Sequence, residues 1–238
     1  MLKFARLKKR FDVKQMQQEV CAIESALWEP HYNTKHYEGT WTTLQLRSIN
    51  GNIENGVSIH GSSLQENMSY KDTILLEKCL YLKSVINFFS CEKMSVRLMN
   101  LNAGSIIKEH TDFDMNFEKG EARFHIPLFT NPGVSFFIED EKILMKEGEC
   151  WYLNLSLKHK VNNFGDANRI HLVIDCKVND WIKKLLKDDA ELTVSVDEKN
   201  EENNYSVPEK IKIIEQLRIM NTATSNELAD KMEAGIII

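Results

Sequence analysis

The runs MSVRLMNL (residues 94–101), SIIKEH (105–110), ARFHIPLF (122–129), ECWYLNL (149–155) and RIHLVIDCK (169–177) decide the fold class. Each is short and rich in branched and aromatic residues. Between them stand turn formers: Gly104, Gly120, Pro132-Gly133, Gly148 and Gly165-Asp166. Residues 134–139, 142–145 and 159–163 read as further strands. Many short strands broken by turns, as here from 94 to 178, indicate a sandwich or barrel.

Outward from that block the periodicity changes. Val13, Met16, Val20, Ile23 and Leu27 recur at helical spacing and predict a helix over 13–28, closed by Pro30. Residues 41–48 alternate as a strand, and Gly51, Asn52, Asn55 and Gly56 mark a turn. Residues 72–90 carry a broad apolar helical face that includes Leu75, Leu76, Cys79, Leu80, Leu82, Val85 and Ile86. Past 178, residues 180–186 read as a short amphipathic helix, and 187–204, rich in Asp, Glu, Lys and Asn, as a solvated linker. Two helices follow at 207–220 and 225–234, with Thr224 and Glu227 in capping-box spacing. The expected layout is thus a domain over 1–186, an acidic linker over 187–204 and a helical extension over 205–238. The acidic residues of that extension argue against a DNA-binding helix-turn-helix; a helical cap or a homodimer contact is expected instead.

Composition narrows the function classes. A net charge of −5 over 238 residues disfavours a nucleic-acid or anionic-membrane surface. No run approaches the roughly 20 apolar residues of a membrane span. Met1 to Arg10 is basic and lacks the continuous apolar run of a secretory signal, so it reads as a frayed helix or a strand entry. Five cysteines without close metal spacing suit free thiols in a reducing compartment, and a cytoplasmic location is expected.

The chemistry-bearing segment is His110-Thr111-Asp112. On a strand, alternate residues share a face, so His110 and Asp112 would converge on one ion. His159, from a later strand, would complete a 2-His-1-carboxylate triad, which leaves three adjacent positions of an octahedral iron open. Two of these suit a bidentate 2-oxoacid and one suits O2. Arg123 and His125 are two apart and share a strand face, as do Arg169 and His171. A buried Arg169 needs a carboxylate: the C5 carboxylate of 2-oxoglutarate, or an internal partner such as Asp175 or Glu149. Arg47 and Arg97 are candidates to grip a substrate carboxylate, Trp41, with His36 and Tyr37, to line the mouth, and His171 to be a pocket residue or a satisfied core histidine. His31 and His60 read as surface residues.

Taken together, Gly104, His110, Arg123-x-His125, Gly148-Glu149, His159 and Arg169 with the apolar strand ending at Asp175 resemble the aspartyl/asparaginyl β-hydroxylase family in order and spacing. Tyr37-x-Gly39-x-Trp41-Thr42 and Leu46-Arg47-Ser48 resemble the entry to its domain, so the likeness spans roughly 30 to 181. It implies a mainly β fold with flanking helices: a double-stranded β-helix, or cupin-like jelly roll, with N-terminal helices and a C-terminal helical extension. It implies Fe(II), O2 and 2-oxoglutarate as cofactor and co-substrates. His110 and His159 would bind iron, Arg169 would hold the distal carboxylate of 2-oxoglutarate, and Arg123 and His125 would contact the co-substrate near the metal. The vertebrate peptidyl hydroxylase of the family has glycine where this chain has Asp112. Small bacterial members acting on free or acylated amino acids such as proline keep the carboxylate. The expected activity is therefore hydroxylation of an unactivated C–H of a free or acylated amino acid. The alternatives are hydroxylation of an Asp, Asn or other side chain within a peptide, halogenation (against which Asp112 counts), and a non-catalytic cupin-like binding protein.

Overall fold

The computed structural model describes residues 1–54, 68–112, 115–195, 207–220 and 223–234. Along the chain it runs β1 (Leu2–Arg10), α1 (Val13–Cys21), β2 (Glu29–Pro30), β3 (Tyr37–Glu38), β4 (Trp41–Ile49), β5 (Tyr70–Asp72), α2 (Ile74–Lys78) and α3 (Leu80–Phe88). Then come β6 (Lys93–Leu101), β7 (Ile106–His110), β8 (Glu121–Phe129), β9 (Val134–Ile138), β10 (Glu141–Ile143), β11 (Glu149–Leu153), β12 (His159–Asn163) and β13 (Arg169–Lys177). The chain continues with α4 (Asp180–Asp188), β14 (Ala190–Ser195), α5 (Val207–Met220) and α6 (Ala223–Ala234). It divides into two compact units, Met1–Val196 and Asp197–Ile238. The second is the α5–α6 helix pair, tied by Arg218 to Asp230 and Glu233 at 2.6 and 2.9 Å.

The first unit is two antiparallel sheets. The larger runs β14-β1-β11-β8-β13-β6-β4-β2, with β5 added on β4; the smaller runs β10-β9-β12-β7-β3. Two apolar clusters follow from the period-2 alternation of the large sheet's strands. One face, with Leu44, Leu98, Phe124, Ile126, Tyr152, Leu172 and Ile174, packs with Met16, Leu82, Ile86, Phe89 and Ile182 of α1, α3, α4 and the segment after α3. The opposite face, with Trp41, Met99, Leu101, Trp151, Leu153 and Val173, packs with Ile107, Phe136, Ile138 and Val161 of the small sheet. Arg97, Arg123, His125, Arg169, His171 and Asp175 alternate in register with this second set, so the fold carries six buried polar side chains towards the barrel interior.

Several elements differ from expectation. The basic N-terminus is a full strand between β11 and β14, because Phe4, Ala5 and Leu7 are buried and the cations meet Glu139, Glu141, Glu149 and Glu191. The 13–28 helix stops at Cys21; its apolar spacing continues through a 3-10 turn at Ser25–Leu27. The 72–90 helix breaks at Cys79, whose φ and ψ are −107° and 76°. Glu19 of α1 explains the break: its carboxylate accepts from Tyr81 N and Leu82 N at 2.7 and 2.8 Å and so caps the start of α3. Leu80, counted in the apolar face, is 73% exposed as a result. Glu19→Ala is expected to cost about 0.5–2 kcal/mol, the range for loss of a helix cap, read as a lowered urea midpoint. Part of the expected 187–204 linker is structured: residues 190–195 pair as β14 with β1, an edge available only once β1 is in the sheet. Residues 196–204, Asn55, Gly56 and the capping side chains of Thr224 and Glu227 lie outside the described residues. Gly148 has a positional role: at φ +76° its Cβ would stand 2.7 Å from Phe11 O, at the point where Phe11 N donates to Gly148 O.

Candidate active site

A cavity of about 310 Å³ opens between the two sheets. His110 ends β7 and His159 begins β12, and the two are Cα partners across that pair. Their rings stand 4.2 Å apart. His110 Nδ1 bonds Lys108 O at 2.7 Å and His159 Nδ1 bonds Leu157 O at 3.0 Å. A carbonyl only accepts, so each Nδ1 carries a hydrogen, which leaves Nε2 of the neutral ring as the atom that can bind an ion. Burial pushes the His159 pKa down to about 4, against the opposing charge of Asp112, so the ring is neutral at pH 7.

Asp112 completes the cluster, but not from a strand. β7 ends at His110, and Asp112 lies on irregular backbone held by Asp112 N donating to Leu155 O at 2.8 Å. Asp112 Oδ1 is 3.7 Å from His110 Nε2, and one ligand atom from each of His110, Asp112 and His159 falls within 4.8 Å of the others. Burial opposes ionisation of this carboxylate, but Arg123, His159 and His110 together outweigh it and hold its pKa at about 2. Two imidazole lone pairs and an ionised carboxylate are the donor set of a facial-triad iron site, and the residues present fit such an ion.

Arg169 lines the same cavity and is buried, with its guanidinium 5.9 Å from the Phe136 ring centre. Nη2 donates to His171 Nδ1 at 2.9 Å, while Nε has no hydrogen-bond partner among the described residues. Neither internal partner considered above reaches it. Asp175 is six residues along the same strand and binds Arg97 and Arg123; Glu149 binds Trp151 Nε1, Lys146 N and Arg6. Burial without a counter-charge pushes the Arg169 pKa down to about 9.

His171 lines a separate depression with Thr130, Met145 and Glu147 rather than the cavity, and its ring meets Arg169 and His125. Because Arg169 must donate to His171 Nδ1, the 3.4 Å contact from His125 Nδ1 to the same atom makes His125 Nδ1 a donor. His125 Nε2 is then a buried acceptor without a hydrogen-bond partner among the described residues. Burial and the Arg169 charge depress its pKa far below the usual value.

The remaining candidates separate clearly. Arg97 and Trp41 line the cavity, and both are buried. Arg47 does not reach it. The β4–β6 register shifts between Gln45 and Arg47, and the arginine turns to Asp72 Oδ1, Tyr70 O and Lys93 O at 2.5, 2.8 and 3.1 Å. A bulge re-aims a side chain that simple alternation would send inward. Arg123, expected at the co-substrate, directs Nε and Nη2 to Asp175 and Nη1 to Asp112. His31 is not a surface residue: it stacks on Trp41 at 3.6 Å and 10° and lines the cavity with Tyr32, Asn33 and His36. Burial, aided by Arg97, pushes its pKa down to about 3. Its signal in the sequence was only its neighbourhood to Trp41. His60 lies outside the described residues.

Among the described residues no helix is long and apolar enough to cross a membrane. Residues 10–179 match the aspartyl/asparaginyl β-hydroxylase family. The chain is similar to L-proline cis-4-hydroxylase of Rhizobium meliloti (strain 1021), 25% identical over 182 residues, covering 76% of this chain and 62% of that relative. It therefore spans less than two thirds of the relative's length. Solved structures similar to it include a 2OG-Fe(II) oxygenase-family oxidoreductase from Burkholderia pseudomallei (TM-score 0.46, 14% identity, 69% of this chain and 78% of that one). Another is a Pseudomonas putida prolyl-4-hydroxylase (TM-score 0.46, 11% identity, 75% and 94%). With the match covering 10–179, the chain belongs to the aspartyl/asparaginyl β-hydroxylase family.

Proposed function

We propose that this chain is an iron(II)- and 2-oxoglutarate-dependent dioxygenase that hydroxylates an unactivated C–H bond of a free or acylated amino acid. The observation that carries the reading is Arg169. Its guanidinium is fully buried, has an Nε unpartnered among the described residues and lines the cavity that also holds the His110-Asp112-His159 cluster. An unpaired buried charge is costly. A dicarboxylate bound to the metal at one end and to Arg169 at the other removes that cost, and a planar guanidinium fork suits a carboxylate.

In this reading His110, Asp112 and His159 hold iron. Arg169 orients the distal carboxylate of 2-oxoglutarate, and His171 holds Arg169. His125 offers its Nε2 lone pair to a ligand atom that brings a hydrogen. Met99, Phe136, Leu155 and Val161 give the cavity apolar walls that exclude water. Bound iron supplies O2 activation, coupled to oxidation of 2-oxoglutarate to succinate and CO2, with the second oxygen atom entering the substrate C–H. A cavity of about 310 Å³ is at the small end of ligand sites, which favours an amino-acid-sized substrate. Arg97 is the candidate for a substrate carboxylate, and the Trp41 indole N–H, unpartnered among the described residues, for a substrate acceptor. The five cysteines are free thiols, in keeping with a cytoplasmic enzyme; no nucleic-acid or membrane partner is proposed, and any homodimer would form through the helical segments.

The test is turnover with Fe(II), 2-oxoglutarate, ascorbate and a panel of free amino acids, N-acyl amino acids and short peptides. Succinate stoichiometric with a mass gain of one oxygen on one panel member is expected. No iron binding and no succinate, with or without substrate, would sink the enzyme reading.

A further inference from the structure

Asp112 is a metal-ligand candidate that no regular secondary structure holds in place. Its backbone is irregular, and its side chain is partly exposed. What orients its carboxylate is Arg123 Nη1, which donates to Oδ2. Arg123 in turn sits on β8 opposite Asp175 of β13, its Cα partner. Arg123 Nε donates to Asp175 Oδ1 at 2.5 Å and Nη2 to Oδ2 at 2.9 Å, a two-point fork. Arg97 Nη2 donates to Asp175 Oδ2 at 3.1 Å. Asp175 is fully inaccessible, and Arg97 and Arg123 are buried, so the chain Arg97–Asp175–Arg123–Asp112 runs from the barrel interior to the cluster with two cations and two carboxylates alternating. In a low-dielectric interior such geometry is stiff, because releasing any one member leaves an uncompensated charge.

We propose that Asp175 is a positioning residue of the metal site: by clamping Arg123 at two points it directs the third guanidinium donor onto Asp112 Oδ2, so that Oδ1 alone is presented towards His110 and His159. This rests on the iron reading above. Its chemical consequence is specific. A carboxylate free to turn offers both oxygens to an ion and closes a position that co-substrate or O2 needs. One with Oδ2 held by Arg123 offers a single oxygen and keeps three positions open. Asp175 itself touches neither the cavity nor a ligand; it acts through Arg123.

The test uses the full chain loaded with Mn(II) or Co(II). Metal affinity is measured by calorimetry, and coordination is read from the Co(II) absorption spectrum, which depends on coordination number and not on turnover. Asp175→Asn is expected to weaken metal binding by roughly 10- to 100-fold, the usual cost of removing a group that orients a ligand, and to change the Co(II) spectrum. Because that variant leaves two buried guanidiniums against one carboxylate, the double variant Arg97→Met with Asp175→Asn restores the charge balance while still unclamping Arg123. It is expected to show the same spectral change. A crystal structure of the unaltered protein with Mn(II) gives a readout independent of variant folding: Oδ1 on the metal and Oδ2 on Arg123 are expected. Both oxygens on the metal, or folded variants with the parent's affinity and spectrum, would overturn the positioning role and leave the iron reading intact. Absence of metal binding by the parent protein would overturn both.

Discussion

Asp112→Ala is expected to remove metal-dependent succinate formation altogether. The substitution takes away the one anionic member of the cluster and leaves two neutral imidazoles facing a divalent cation. It also removes the acceptor of Arg123 Nη1, so a buried guanidinium points at the vacated ligand position. Both effects act against cation binding, and the loss should exceed the roughly 10- to 100-fold typical of a group that merely orients a ligand. Calorimetric Mn(II) titration and the succinate assay check it together. Near-parental activity would mean that two histidines suffice and that Asp112 is not a ligand. Asp112→Asn separates charge from shape: the amide keeps an acceptor for Arg123 and loses the charge, so metal affinity should fall while the fold is retained. Because neighbouring cations hold the Asp112 pKa at about 2, no pH change in the working range mimics either variant.

Arg169→Met is expected to have opposite effects on function and stability. A charge-assisted bond to a carboxylate contributes about 1.5–3 kcal/mol, and every ~1.4 kcal/mol is tenfold in affinity. The 2-oxoglutarate requirement should therefore rise roughly 10- to 100-fold, with the maximal rate recovered at saturating co-substrate. An unchanged requirement would move the co-substrate anchor elsewhere. The ligand-free protein should, in contrast, become more stable at pH 7. Arg169 is a cation whose folded pKa, about 9, lies below its ordinary 12.5, so its charged form is disfavoured on folding. That cost is fully present below pH 9 and fades only as pH rises from there towards 12.5. Methionine fills similar volume without the charge. A melting temperature that rises without 2-oxoglutarate, and that responds to it only at roughly 10- to 100-fold higher concentration than the parent's, would meet the expectation.

The alternation of the strands made much of this site legible. Arg123 with His125, and Arg169 with His171, are two apart, and period 2 puts each pair on one face whatever the fold around it. The strand boundaries from 94 to 178 appear nearly as read, because turn formers punctuate them locally. Local patterning failed where a long-range partner overrode it. The helix over 72–90 is broken by a carboxylate from α1, and the basic N-terminus becomes a strand because β11 and β14 flank it. Arg47 has the spacing of an inward residue, but a register shift against β6 and the nearby Asp72 take it away.

The chain's sequence alone thus determined the β character of residues 94–178, the faces shared by the polar pairs, and the order of the candidate ligands. These depend on backbone period and on turn chemistry, both of which act over a few residues. Tertiary structure alone decided which carboxylate meets which guanidinium. Asp175 clamps Arg123 and not Arg169, Asp112 is oriented from β8 and not by its own strand, and His31 is folded onto Trp41 at the cavity. Those choices are made by the register between distant strands, and ion pairing between buried groups is settled by distances that no spacing along the chain encodes.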